Sequence, residues 1–103
     1  MDALNIREHS ATDEEVFLAL GGDLIVNNAE QMQATLNPHL SAEKNLVLDL
    51  ADIADIDTAG LQLLLSLEQL QSQHGKAFNV CGLTAAQADD FGALGVARLI
   101  VER

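Results

Sequence analysis

Asp49, Asp52, Asp55 and Asp57 crowd one short stretch of the chain and are its densest group of candidate ligands or acid–base groups. A calcium loop would use such a set, but the EF-hand pattern fails here. Counted from Asp52, the sixth position is Asp57 instead of glycine and the twelfth is Leu63 instead of glutamate. His9, His39 and His74 show no metal-ligand spacing and read as surface residues. Cys81 ends an apolar run, which predicts a core position rather than a nucleophile. No glycine loop followed by lysine is present to cradle phosphate. Catalysis needs a positioned nucleophile, acid–base pair or metal. The sequence therefore predicts a protein that is not an enzyme and holds no metal and no cofactor.

The same stretch offers a different chemistry, that of a surface. Asp57 precedes Thr58-Ala59-Gly60-Leu61. An aspartate there can cap a helix by accepting amide hydrogens from its first turn, and capping alone would explain it. Thr58 would then be exposed at the positive end of the helix dipole, where added negative charge is favoured. Gly60 costs about 1 kcal/mol relative to alanine inside a helix. Its bareness lets another surface approach closely, either the sheet beneath or a partner.

The elements that must position this segment follow from patterning. Residues 46–50 are apolar almost throughout, as in the buried middle of a sheet. A helix is expected from Thr58 to about His74, stopped by Gly75. Leu61, Leu64 and Leu65 share one of its faces; Leu63, Leu67, Leu70 and His74 share a second; Gln62, Ser66, Gln69 and Gln73 mark the solvent side. The apolar arc spans roughly 220°, wider than an ordinary surface stripe, so neighbouring helices or a docked partner must cover the excess.

Residues 16–20 form a short apolar strand ending at a turn at Gly21-Gly22, with an extra edge strand at 4–6. Asn28 can cap a helix with Gln31 at its third position, carrying Ala29, Met32 and Leu36 and stopped by Pro38. Residues 76–81 read as a strand. Thr84-Ala85-Ala86-Gln87 is a capping box opening a short helix with Ala88 and Phe91. Gly92 and Gly95 break the chain before a last strand at 98–101. Alternating strands and helices with short connections predict an α/β protein, a small mixed sheet with helices packed on one face and the other face more open.

Bulk composition narrows the function. The 103 residues make one domain, 1–103, and about half are apolar. Sixteen acidic against five basic residues give a net charge of −11. Phosphate backbones and anionic headgroups repel such a surface, and three aromatics leave no base-stacking platform, so neither nucleic acid nor membrane insertion is expected. A protein partner with a basic surface is the natural complement; solubility alone would also explain the acidity. The N-terminus lacks a signal-peptide pattern and the lone cysteine suits a reducing compartment, so a cytoplasmic location is expected.

The strand at 46–50, Asp55-Ile56-Asp57-Thr58-Ala59-Gly60-Leu61 with the leucines after it, and Gly75-Lys76 with the strand to Cys81 together resemble the STAS family. Gly22-Asp23-Leu24, Asn28-Ala29 and Leu94-Gly95-Val96 support the resemblance, which spans about residues 15–101. It implies a small sheet flanked by helices, and a bacterial regulatory module like the anti-sigma-factor antagonists, whose partner is a kinase-type anti-sigma factor. Family members also include a subunit of a phospholipid-trafficking ABC transporter, which binds the ATPase, and chemotaxis-associated adaptors. The partner-binding residues it implies are Asp23, Asp57, Thr58, Ala59, Gly60 and Leu61. In phosphorylated antagonists the motif is Asp-Ser-Ser-Gly, and the residue before glycine accepts phosphate. Ala59 has no hydroxyl, so phosphorylation there is impossible, and Thr58 is the remaining candidate phosphosite. The resemblance leaves open which of these branches applies, and whether the protein is a monomer or a weak dimer.

Overall fold

A computed structural model of the chain describes residues 4–25, 31, 34, 36 and 43–102. They form a mixed four-stranded sheet, β1 (Asn5–Ala11), β2 (Glu15–Leu24), β3 (Asn45–Ile56) and β4 (Phe78–Cys81), in the order β1-β2-β3-β4. β1 runs antiparallel to β2, while β2–β3 and β3–β4 are parallel. The β3–β4 crossover carries helix α1 (Thr58–Gln73), and β4 leads into α2 (Ala85–Ala93) and a 3-10 turn at Ala97–Leu99. Gln31, Ala34 and Leu36 are helical, with Leu36 buried. Asn28, Ala29, Met32 and Pro38, on which the cap and stop of that helix are expected, lie outside the described residues.

Strand alternation decides which face is covered. Val16, Leu18 and Leu20 of β2, Leu46, Leu48 and Leu50 of β3, and Phe78 and Val80 of β4 join Leu61, Leu64 and Leu67 of α1 and Phe91 of α2 in one core. Between them on the strands stand Phe17, Ala19, Val47, Asp49, Asn79 and Cys81, aligned as Phe17–Val47–Asn79 and Ala19–Asp49–Cys81. Val47 and Cys81 are buried yet stand outside the core cluster, and the other four are half-buried. One face is thus packed and the other more open, as expected from so few elements.

Two strands run further than their apolar runs suggest. β2 does not turn at Gly21-Gly22 but continues to Leu24, and β3 extends through the aspartates to Ile56. The ladder survives because β3 carries extra residues, with register shifts between Ala19 and Gly21 and between Gly22 and Asp23, where Gly22 adopts φ 96°. The edge strand is longer than residues 4–6, and the expected strand at 98–101 is a 3-10 turn followed by a single parallel bridge, Val80 to Ile100. The amide of Val101 donates to the carbonyl of Val80 at 2.9 Å, so the tail touches the β4 edge without forming a ladder.

Candidate functional site

The N-terminus of α1 is built by a side-chain cap and by two contacts with the end of β2. Asp57 is the N-cap, and its Oδ1 accepts the amide of Gly60 at 2.9 Å. The Asp57 amide donates to the Leu24 carbonyl at 3.1 Å. Gly60 lies on that same carbonyl: a Cβ there would overlap the Leu24 oxygen and stand 2.8 Å from its carbon. Of the two surfaces that the bare glycine can admit, the sheet therefore occupies it. The helix start is braced against β2.

Thr58, the first residue of α1, is exposed, and Ala59 is half-buried. Leu61 is 9% exposed and joins the core. Asp23 is also 9% exposed; it stands one residue before Leu24 on β2, opposite Asp55, and offers little area to an incoming molecule. The six expected contact residues thus divide. Thr58 presents surface, Asp57 and Ala59 present some, and Asp23, Gly60 and Leu61 shape the support beneath it.

A groove of about 410 Å³ opens beside Thr58, and its second wall is α2. Leu61 and Phe91 form its base, with Ile56, Gln87, Asp90 and Leu94 around them. The capping box at Thr84 fixes the start of α2: the Thr84 hydroxyl accepts the Gln87 amide at 3.1 Å, and Gln87 Oε1 accepts the Thr84 amide at 3.0 Å. Leu94 ends the helix 64% exposed. Periodicity places it three residues after Phe91, on the same stripe, but cannot tell that the core stops short of it.

The aspartates of β3 do not converge. Among the described residues, no group of three or more His, Cys, Asp and Glu side chains is placed to hold a metal ion. Asp52 faces Arg7 at 3.6 Å, both side chains largely exposed. Asp49 accepts the Ala51 amide at 2.9 Å. Among the described residues no helix is long and apolar enough to cross a membrane.

The family model described as "Mlab, STAS domain" matches residues 8–102. No curated protein matches the chain. The fold is similar to that of SpoIIAA, an anti-sigma factor antagonist and Bacillus cell fate determinant. Against its unphosphorylated form the TM-score is 0.76 at 15% identity, covering 98% of this chain and 88% of that one. TM1081 of Thermotoga maritima, a candidate anti-sigma factor antagonist, gives 0.78 at 17% identity over 92% of this chain and 83% of that one. The murine anion transporter Slc26a9 gives 0.70 at 15% identity, with 82% of this chain covering 14% of that one. These likenesses are of fold. The family match over residues 8–102 places the chain in the STAS domain family.

Proposed function

We propose that this protein is a non-enzymatic regulatory binding module, similar to the anti-sigma factor antagonists, that docks a partner protein through the start of α1. The exposed Thr58, on a helix terminus already braced by Asp57 and by the Leu24 carbonyl, carries the reading. A rigid, pre-built surface loses little entropy on association. Asp23, Asp57, Ala59, Gly60 and Leu61 hold its shape, and Thr58 is the residue a partner meets first. A hydroxyl at that position is also where phosphate would set a negative charge against the partner. The module works in the cytoplasm and needs no cofactor.

Thr58→Glu tests this. Added charge at a helix N-terminus is tolerated by the fold, but in a complex it must be desolvated. With the partner identified by affinity purification from the native cell, calorimetry is expected to show binding weakened about tenfold or more, equivalent to roughly 1.4 kcal/mol. Stability by denaturant unfolding should change by less than about 1 kcal/mol. Equal affinity for the Glu variant and wild type would mean that this terminus is not the docking surface.

A second reading is favoured by one residue. Ala59 removes the hydroxyl used in phosphorylated antagonists, and the matching family model bears the Mlab description. A subunit of a phospholipid-transport ABC complex, binding its ATPase through the same surface, needs no phosphate at that position. Which protein co-purifies, an anti-sigma kinase or a transporter ATPase, separates the two readings.

A further inference from the structure

We propose that the groove between α1 and α2 receives a segment of the partner protein carrying one large apolar side chain with a lysine or arginine beside it. The inference rests on the docking reading above and assigns the partner's chemistry. The groove is lined by the buried, apolar Leu61 and Phe91, and Leu94 beside them is 64% exposed. Leu94 and Leu70 are the two large apolar side chains that stand exposed among the described residues, and only Leu94 borders this opening.

The charge around the opening has one sign. Asp57 and Asp90 line it, and among the described residues no lysine or arginine does. Arg98, four residues beyond Leu94, is held by Glu68 at 2.8 Å and by the Gly95 carbonyl at 3.1 Å. Asp57 is committed to the helix cap, so Asp90 is the exposed carboxylate at the rim that an incoming cation would meet. The chain's net charge of −11 draws a basic segment from a distance, and the apolar base then holds it. An apolar anchor seated in a pocket and ringed by polar contacts is the usual energetic centre of a protein interface.

A phage-displayed random peptide library selected on the intact protein tests the assignment. Enriched peptides are expected to combine a leucine, isoleucine, methionine or aromatic residue with lysine or arginine. A synthetic copy of one should lose about tenfold or more in affinity to Asp90→Lys and to Leu94→Gln. Both side chains are exposed, and circular dichroism checks that each variant is folded; if Leu94→Gln is not, Asp90→Lys decides. No enrichment, enriched peptides lacking basic residues, or an affinity indifferent to Asp90→Lys would overturn the proposal. The two readings fail separately, because Thr58→Glu is scored against the native partner and the groove against peptides.

Discussion

At the scale of single residues, glycines and one glutamine do more than their types suggest. Gly60 is where a methyl group cannot fit, since the Leu24 carbonyl fills its place. Overpacking of this kind costs about 1–3 kcal/mol, and here the obstacle is backbone that cannot rotate away. Gly60→Ala is therefore expected to lower stability by about 2 kcal/mol or more. Gly92 lies in α2, where an added methyl would meet nothing within 4 Å, so Gly92→Ala should be neutral or stabilising by up to about 1 kcal/mol. Urea unfolding of the pair measures both, and a Gly60→Ala protein as stable as wild type would refute the close packing. Gly21 is less demanding: Arg7 lies across it towards Asp52, with Nε 2.6 Å from where a Cβ would be, but that exposed, flexible side chain can move aside. The sequence pattern flags that Gly60 is unusual in a helix. It cannot say whether sheet or partner fills the space, because Leu24 is far away along the chain.

Elements are held by a mixture of legible and illegible contacts. The leucine spacing of α1 is readable: Leu61, Leu63, Leu64 and Leu67 are buried, while Gln62, Ser66, Gln69 and Gln73 are exposed. Leu64 is fully buried, so Leu64→Asp should cost several kcal/mol by leaving a carboxylate in the core, whereas Gln69→Asp should change little. Thermal unfolding of the two variants checks the helix orientation. Gln71 breaks the pattern. It is 3% exposed, and its amide donates to the carbonyls of Lys44 at 2.8 Å and Ala77 at 3.4 Å, tying the entrances of β3 and β4 to the end of α1. Gln71→Leu keeps the bulk but strips the half-buried Lys44 carbonyl of this donor, so a loss of about 1 kcal/mol is expected in denaturant unfolding. Periodicity sees only polar against apolar, and a buried glutamine serving two distant carbonyls is invisible to it. The bulged ends of β2 and β3 escape it for a related reason. Gly21-Gly22 and the aspartates carry turn-like composition, yet pairing with a neighbouring strand outweighs it. The tail fails as a strand because only one bridge reaches β4.

For the molecule as a whole, charge is the dominant uncompensated quantity. The chain carries −11, and Arg7–Asp52 and Arg98–Glu68 are ion pairs among the described residues. The first is largely exposed and contributes little; the second, with Glu68 half-buried and a two-pronged geometry, contributes somewhat more. The principal extents are 33 × 26 × 23 Å. At an ionic strength of about 0.01 M the Debye length is about 30 Å, so nearly every carboxylate feels every other across the fold. At about 0.15 M it falls to about 8 Å, and only neighbours interact. Unfolding spreads the same charges apart, so repulsion weighs on the compact state more than on the open chain. Raising sodium chloride across that range at pH 7 is therefore expected to stabilise the protein, moving the urea midpoint upwards, while slowing association with a basic peptide or partner. Stopped-flow binding and urea titration on one preparation read the two effects with opposite signs. A midpoint that falls with salt would mean that attractive charge pairs outweigh the net repulsion. An association rate that does not fall would mean that the acidic surface keeps the protein soluble without steering a partner to it.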